Sequence, residues 1–463
     1  MSALARFYRH EGYNVAGYDR TPSELTHALE KEGIEIIYGD DRLEIGDWKT
    51  KICAEDTMVV RTPAVPENNS IYTYLREQGF TILKRAEALG QITATKKALC
   101  VAGTHGKTTT STMLAHIMAV HGKNEHGLTR KGTDGDGVNA FLGGISENYG
   151  TNLLLDKNSE YVVVEADEFD RSFHHLRPYM TVVTSIDPDH LDIYGTPEAY
   201  RESFEKYCSL VSDTILLKYG LCLSCTERTD HTDNIRARVL TYSAEDTRAD
   251  YHSANIVVKD GTITYDLHHP QGVIRGIRLG VPVWVNIENS IAAAAIALMN
   301  GVTEAEIRQA LASFKGVHRR FNIHVQTPDV AYIDDYAHHP QEIAASIASV
   351  RKLYPERKLL GIFQPHLYTR TRDFAEGFAK VLSTLDEVIL LPIYPARELP
   401  IPGVDSEMLL RKISCPRKSL LSKDELLQTI AERAKEQQPV AVMTIGAGDI
   451  DRLVSAIAER LKG

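Results

Sequence analysis

The chain has 463 residues, 43% of them hydrophobic and 25% charged, with a formal net charge of −10. At roughly 150 residues per domain this length suggests about three domains. The negative charge argues against a nucleic-acid partner, and the longest apolar run, at residues 291–299, is too short for membrane insertion.

The start of the chain predicts half of a nucleotide-binding unit. Residues 2–11 are predicted to be helical, and residues 13–19 form a predicted strand that ends in Asp19. This is the second half of a β-α-β unit, without the first strand and its glycine-rich turn. We therefore expect that the natural protein extends upstream of Met1 or that this chain is shortened. The first residues lack the apolar core of a secretory signal, so the expected compartment is the cytoplasm.

Short β-rich runs alternate with amphipathic helical stretches along most of the chain. This pattern predicts an α/β fold of three domains, with parallel or mostly parallel sheets and crossover helices. We place the boundaries at residues 1–95, 96–316 and 317–463. The predicted strands lie at residues 99–102, 161–164, 181–184, 359–363, 387–391 and 440–444.

The strongest motif is Gly103-Thr-His-Gly-Lys-Thr-Thr109, between a predicted strand and a predicted helix. Glycines allow backbone N–H groups to close around phosphate, and the helix N-terminus adds positive potential. Lys107 would reach the β- and γ-phosphates, and the Thr108 hydroxyl would bind Mg²⁺. The pattern therefore predicts that the central domain is a P-loop ATPase domain.

Acidic residues follow the next predicted strand, in Glu165-Ala-Asp-Glu168. Carboxylates at the carboxyl end of a parallel strand lie where ligands bind in such sheets. Glu165 is our candidate Mg²⁺ ligand. Glu168 and Asp170 are equally compatible with a role in this site and with solvated positions at the start of a helix.

A third motif, Asp187-Pro-Asp-His-Leu-Asp192, follows the strand at residues 181–184. His190 is a candidate ligand of a second metal ion, although a lone histidine in such a turn is also compatible with a structural role. A separate stretch, residues 122–137, has five glycines among polar residues. We interpret it as a mobile surface connection.

Three further motifs carry Arg, His and Tyr. Gly316-Val-His-Arg-Arg-Phe321 lies at the second domain junction, where an arginine could contact a transferring phosphoryl group. Asp334-Asp-Tyr-Ala-His-His-Pro340 and Gln364-Pro-His-Leu-Tyr-Thr-Arg-Thr-Arg372 each follow a predicted strand of the third domain. Their side chains suit binding of a carboxylate and of a nucleotide edge.

Taken in this order, the motifs resemble the Mur ligase family, from about Thr62 to Ile450. Phe363-Gln-Pro-His-Leu-Tyr-Thr-Arg-Thr371 and Asn139-Ala-Phe-Leu-Gly-Gly144 are similar to the branch that adds L-alanine. The resemblance implies a UDP-sugar domain, a central ATPase and a C-terminal amino-acid domain. It implies a ligase of peptidoglycan precursor synthesis that uses ATP and Mg²⁺. ATP would phosphorylate the lactyl carboxylate of UDP-N-acetylmuramate, and the amine of L-alanine would attack the acyl phosphate.

The resemblance also implies residue roles, position by position. The residues expected to act in catalysis are Lys107, Glu165, His190, Arg320 and His338. The ATP-binding residues are Gly103, Thr104, His105, Gly106, Lys107, Thr108, Thr109, Asn286, Asn289, Arg320 and Asp335. The metal ligands are Thr108, Glu165 and His190, and the incoming amino acid would contact Tyr336, His338 and Arg370.

Two other functions are compatible with the sequence. A murein-peptide recycling ligase would add a whole peptide to the same nucleotide sugar, and it differs after the Asp335 motif. A catalytically impaired relative would bind ATP without turnover, but the residues for phosphate and metal are all present. Either a monomer or a dimer is compatible with the sequence.

Overall fold

The computed structural model describes residues 1–39, 52–62, 65–125, 137–223, 237–259, 261–396, 398–433 and 439–462. Most of the glycine-rich stretch predicted as a mobile connection, residues 126–136, lies outside the described residues. Residues 122–125 are the end of a helix rather than part of a loop. Within the described ranges, no helix has the length and apolar character needed to cross a membrane.

The N-terminal region contains two pairs of parallel strands. Its elements are α1 (Ser2–His10), β1 (Ala16–Asp19), α2 (Glu24–Lys31), β2 (Glu35–Tyr38), β3 (Met58–Arg61), α3 (Ser70–Glu77), β4 (Thr81–Lys84) and α4 (Arg85–Thr95). Helix α1 confirms the helix predicted at residues 2–11, and β1 is a shorter form of the predicted strand. The Phe7 ring of α1 packs 5.5 Å from the Phe141 ring, so this region is joined to the next through apolar contact.

The central region is built on a ten-stranded sheet of described strands, in the order β14-β13-β12-β11-β10-β9-β5-β8-β6-β7. The strands are β5 (Lys97–Ala102), β6 (Asn139–Ser146), β7 (Thr151–Leu154), β8 (Tyr161–Glu165), β9 (Met180–Val183), β10 (Thr214–Lys218), β11 (Arg238–Ser243), β12 (Tyr251–Lys259), β13 (Thr262–His269) and β14 (Gly272–Arg278). The helices are α5 (Lys107–Glu125), α6 (Leu191–Tyr194), α7 (Pro197–Cys208), α8 (Trp284–Met299) and α9 (Glu304–Ser313). Strands β12 to β14 are antiparallel, in contrast to the parallel pairs around β5.

Helices cover both faces of the central strands, which explains their continuous apolar sequences. Successive side chains of a strand point to opposite faces. In β5, Leu99 and Val101 join the core beneath α5 and α8. Ala98 and Cys100 join the core that contains residues of α4 and α7. The sheet is thus buried on both sides and forms a rigid platform for the loops at its carboxyl edge.

The C-terminal region has a six-stranded sheet of described strands, in the order β15-β16-β20-β17-β18-β19. Its strands are β15 (Asn322–Gln326), β16 (Val330–Asp335), β17 (Lys358–Phe363), β18 (Glu387–Leu390), β19 (Arg417–Leu420) and β20 (Val440–Ile445). Its helices are α10 (Pro340–Leu353), α11 (Tyr368–Asp373), α12 (Ala375–Leu382), α13 (Ser406–Lys412), α14 (Lys423–Arg433) and α15 (Val454–Lys462). All its pairs are parallel except β15 with β16.

Contacts between the two large sheets involve the segments that follow their strands. Val317 bridges to Ser146 at the end of β6. His105, in the loop after β5, lies 3.8 Å from Glu342, in the first turn of α10. Ligands of open α/β sheets bind beyond the carboxyl ends of the strands, so this junction is the expected place for a site.

Candidate active site

The loop between β5 and α5 has a backbone that requires glycine at two positions. Gly103 has φ +132° and Gly106 has φ +81°, both in a region that other residues rarely adopt. A Cβ on Gly103 would also overlap the Thr184 hydroxyl. Helix α5 starts at Lys107, so the loop leads into a helix N-terminus with free N–H groups. This geometry suits a phosphate.

The Lys107 ammonium is held at the base of this loop. It donates to the Gly103 carbonyl at 2.6 Å and lies 2.9 and 2.8 Å from the two oxygens of Glu168. Glu168 is only 2% exposed, and burial raises the pKa of its carboxyl while Lys107 opposes that shift. Of the two alternatives left open for Glu168, the solvated carboxylate is therefore excluded: Glu168 is the buried partner of the phosphate-loop lysine.

Thr108 and Glu165 lie together, as a shared metal site requires. The Thr108 hydroxyl donates to Glu165 Oε1 at 3.2 Å. Glu165 Oε2 is buried and has no hydrogen-bond partner among the described residues. Burial raises the pKa of the Glu165 carboxyl. A buried, partly unsatisfied carboxylate beside a hydroxyl fits a hard cation such as Mg²⁺.

Glu165 is also packed tightly against the neighbouring strand. A Cβ on Gly143 of β6 would overlap the Glu165 carboxylate, and one on Gly144 would crowd Thr108 and Val317. Gly143 therefore leaves room for the carboxylate between β6 and β8, and Gly144 leaves room for Thr108 and Val317. No role was predicted for either glycine beyond the resemblance of the segment that contains them.

His190 lies just before α6 in a left-handed conformation, with φ +52°. Its ring packs edge-on against Phe169, with 5.2 Å between ring centres, and its Nε2 is 3.7 Å from Asp189. Across the described part of the chain, no three His, Cys, Asp or Glu side chains are grouped as metal ligands. The role of His190 as a ligand together with Glu165 stays a prediction.

Asn286 and Asn289 are buried on α8 and connect it to the phosphate-loop helix. Asn289 Oδ1 accepts from the Thr110 hydroxyl at 3.1 Å, and its Nδ2 donates to Asn286 Oδ1 at 3.1 Å. Asn289 Oδ1 also lies close to Gly106. The two amides thus border the loop, and their role in ATP binding stays a prediction.

The other loop residues anchor the phosphate loop to the segment after β9. Thr104 donates from its hydroxyl to the Asp187 carbonyl at 2.7 Å and is 2.9 Å from the Tyr200 hydroxyl. The His105 N–H donates to the Ser185 hydroxyl at 2.9 Å. The motif at Asp187 therefore supports the phosphate loop through its backbone. This contact between distant segments is invisible in the sequence.

Arg320 and Tyr336 come together at the junction of the second and third regions. The Arg320 guanidinium carbon lies 5.2 Å from the centre of the Tyr336 ring. Burial raises the pKa of the Glu165 carboxyl, and the positive charge of Arg320 is one of the effects that oppose this rise. The structure therefore places Arg320 within electrostatic reach of Glu165, and its contact with the transferring phosphoryl group stays a prediction.

Asp335 turns its carboxylate into the protein. It accepts a hydrogen bond from the Ser346 hydroxyl and another from the Phe321 N–H at 3.3 Å. Burial raises the pKa of the Asp335 carboxyl to about 6. The resemblance implied that Asp335 binds ATP, whereas the structure gives this side chain partners on α10 and at the domain junction. Its contact with ATP remains a prediction.

His338 is one of the residues predicted to contact the incoming amino acid, and it lies beside another of them, Tyr336. Its ring centre is 5.4 Å from that of Tyr336, and its Nδ1 is 3.1 Å from the Tyr336 carbonyl oxygen. Burial lowers the pKa of His338, and the positive charge of Arg370 on α11 contributes to that shift. A neutral imidazole with cationic side chains nearby suits an amino acid that carries both a carboxylate and an amine.

Comparison with known proteins gives three domain matches. Residues 1–97 match the model described as Mur ligase family, catalytic domain; residues 101–297 match the Mur ligase middle domain; and residues 319–448 match the Mur ligase, glutamate ligase domain. Together these models cover most of the chain.

Similar proteins match along the whole length. The UDP-N-acetylmuramate–L-alanine ligase of Porphyromonas gingivalis is 51% identical, over 100% of this chain and 96% of its own length. The ligase of the same name from Parabacteroides distasonis is 52% identical, over 100% and 95%. The crystal structure of UDP-N-acetylmuramate–alanine ligase from Thermotoga maritima superposes with a TM-score of 0.72 at 25% identity, covering 100% of this chain and 96% of that one.

Proposed function

Because this chain belongs to the Mur ligase family, we propose that it is an ATP-dependent ligase that joins L-alanine to the lactyl carboxylate of UDP-N-acetylmuramate. One observation carries this proposal: about half of the residues, along the whole chain, are identical to those of proteins that are named for that reaction. We further propose that it acts in the cytoplasm, in peptidoglycan precursor synthesis.

The reaction has two steps. A carboxylate oxygen of UDP-N-acetylmuramate attacks the γ-phosphorus of ATP, the bond from that phosphorus to the β–γ bridging oxygen breaks, and ADP leaves. The amine of L-alanine then attacks the acyl carbon, loses a proton, and the bond from carbon to the phosphate oxygen breaks. The products are UDP-N-acetylmuramoyl-L-alanine, ADP and phosphate. Phosphorylation is required because a free carboxylate is a poor acyl donor.

The phosphate loop carries the first step. Its backbone N–H groups and the α5 N-terminus would hold the β- and γ-phosphates. Lys107 and Arg320 would balance the charge on the moving phosphoryl group. Thr108 and Glu165, with His190 as a proposed third ligand, would hold Mg²⁺, which neutralises phosphate charge. In this structure Lys107 is paired with Glu168, so it must share or exchange that partner when phosphate binds.

The C-terminal region would carry the second step. Arg370 would bind the L-alanine carboxylate, and His338 and Tyr336 would lie near its amine. Asn286, Asn289 and Asp335 are proposed to border the nucleoside of ATP. In this arrangement residues 1–95 would hold the UDP-sugar, residues 96–316 ATP, and residues 317–463 the amino acid. Closure of the junction would keep water from the acyl phosphate.

The main alternative is a ligase that adds a whole peptide to the same nucleotide sugar. A murein peptide ligase from Psychrobacter arcticus has the same fold, with a TM-score of 0.63 at 20% identity. The test is to offer L-alanine and a muropeptide-type tripeptide as competing acceptors and to weigh the products. We expect the alanyl product alone; a product with the mass of the peptide adduct would favour the alternative.

A further inference from the structure

Glu342 lies between the phosphate loop and the residues that are proposed to bind the incoming amino acid. It is in the first turn of α10 and is 22% exposed. One of its oxygens, Oε2, accepts from the backbone N–H of His338 at 3.0 Å and of His339 at 3.3 Å. The bond to His339 is the return half of a capping box, a common device at helix starts.

The carboxylate does more than close this cap. Its Oε1 lies 3.8 Å from Nδ1 of His105, a residue of the phosphate loop in another domain. Its Oε2 lies 3.5 Å from Nδ1 of His338. One carboxylate therefore contacts a histidine on the ATP side and a histidine on the proposed amino-acid side.

These contacts fix the state of the His338 ring. Its Nδ1 faces two acceptors, the Tyr336 carbonyl and Glu342 Oε2, so Nδ1 carries the ring proton. The other nitrogen, Nε2, is then the basic one, available to accept a proton from an amine. Without the negative charge of Glu342, the acceptor on that side of Nδ1 would be weaker, and this tautomer would be less strongly preferred.

We propose that Glu342 is a positioning residue for the second step, which fixes the His338 imidazole and ties it to the phosphate loop through His105. This inference rests on the proposed function. Glu342 stays ionised in this role: although burial alone would raise its pKa, the His105 contact, the backbone N–H of His338 and the charge of Arg320 hold the pKa of the Glu342 carboxyl below its ordinary value. The negative charge of Glu342 also adds to the rise in the pKa of the Asp335 carboxyl, which is caused mainly by burial.

Glutamine separates the two roles of this position. A capping box accepts Gln as well as Glu, so Glu342→Gln keeps the helix cap but removes the charge. The chain offers a matched control at Glu306, which closes the capping box of α9 with Thr303 and lies 3.1 Å from His121. Glu306→Gln makes the same change at a capping carboxylate that also touches a histidine.

The experiment compares two reactions of the full chain with ATP, Mg²⁺ and UDP-N-acetylmuramate. One uses L-alanine; the other uses hydroxylamine, which traps an acyl phosphate as a hydroxamate. For Glu342→Gln we expect kcat/KM for L-alanine to fall about tenfold, as for loss of one charge-assisted contact, and trapping to stay within about twofold. Glu306→Gln should leave both reactions unchanged. In a His338→Ala background, Glu342→Gln should add no further loss.

Other results would overturn the proposal. Unchanged L-alanine kinetics in Glu342→Gln would show that this residue only caps α10. An equal loss of both reactions would show that it acts in the ATP step. If Glu342→Gln does not fold, Glu342→Asp, which keeps the charge but shortens its reach, should show the same selective loss; normal L-alanine kinetics there would contradict the proposal. Failure of the proposed function is distinct, because the wild-type chain would then form no alanyl product.

Discussion

Arg319 and Arg320 approach the same ring, with guanidinium carbons 5.1 and 5.2 Å from the centre of Tyr336. Arg319 is built into the C-terminal region, where it donates to the Gly446 carbonyl at 2.6 Å and lies 3.6 Å from the buried Asp334. The Arg320 guanidinium forms no ion pair with the carboxylates that the structure describes. Two consecutive arginines thus have different uses, one structural and one free to meet phosphate.

The first prediction separates these two arginines. Arg319→Ala leaves Asp334 buried without its cation and should lower the free energy of unfolding by about 3 kcal/mol. Arg320→Ala should keep the unfolding midpoint but lower kcat/KM for ATP about 100-fold, because a donor to the phosphoryl group is lost. Denaturant unfolding and steady-state kinetics on both variants check this. The reverse assignment, with Arg320→Ala destabilised and Arg319→Ala inactive but stable, would contradict it.

Lys107→Ala should lower the rate of L-alanine ligation at least about 100-fold, because the charge on the transferring phosphoryl group is no longer balanced. Lys97→Ala is the control: Lys97 lies on β5 before the loop and pairs with Glu160 on the surface. An exposed pair of this kind contributes little, so that variant should keep its activity. Wild-type turnover by Lys107→Ala would remove this lysine from the ATP site.

Gly143→Ala should raise the Mg²⁺ concentration needed for half-maximal activity. The added methyl group would overlap the Glu165 carboxylate and displace it from Thr108. Crowding of this kind also costs about 1–3 kcal/mol of stability. Gly272→Ala on β14 is the matched control, since its Cβ would meet only ordinary contacts with His269. An unchanged magnesium profile in Gly143→Ala would show that Glu165 does not set the metal requirement.

Asp335 predicts a pH dependence of stability. The pKa of its carboxyl is about 6 in the folded protein and about 3.9 in an unfolded chain. Between about pH 3.9 and pH 6, the folded state therefore keeps a proton that the unfolded state has lost. The contribution of Asp335 to the free energy of unfolding is therefore greatest below about pH 4. It falls by up to about 3 kcal/mol as the pH rises to about 6.

Asparagine at this position has no proton to lose. The free energy of unfolding of Asp335→Asn, minus that of the wild type, should therefore increase as pH rises from about 4.5 to 6.5. Chemical unfolding of the two proteins across this range measures the difference. A difference that does not change with pH would show that Asp335 ionises in the folded state at its ordinary pKa.

Local patterns were predictable from the sequence. The β5–loop–α5 unit was predicted because its strand, glycines and Lys107 are adjacent in the chain, and β8 and β9 because their apolar runs are continuous. The β-ribbon of β12 to β14 was missed, since its alternating polar and apolar residues carry a weaker signal than a fully buried strand.

Contacts between distant segments were not predictable. Lys107 pairs with Glu168, 61 positions away, and His105 pairs with Glu342, 237 positions away. Nothing in the local sequence distinguishes these two glutamates from solvated ones. Asp335 was located correctly at the end of β16, but the direction of its carboxylate depends on Ser346, one helix later. The sequence thus indicated which strand ends lie together, and the structure supplied the partners of their side chains.

The most direct test of the central claim is phosphate release by the purified chain with ATP, Mg²⁺ and UDP-N-acetylmuramate, with and without L-alanine. We predict sustained release that requires both the nucleotide sugar and L-alanine, together with a product whose mass equals UDP-N-acetylmuramoyl-L-alanine. Release that does not depend on the nucleotide sugar, with no alanyl product, would contradict the assignment of this chain as an L-alanine-adding ligase.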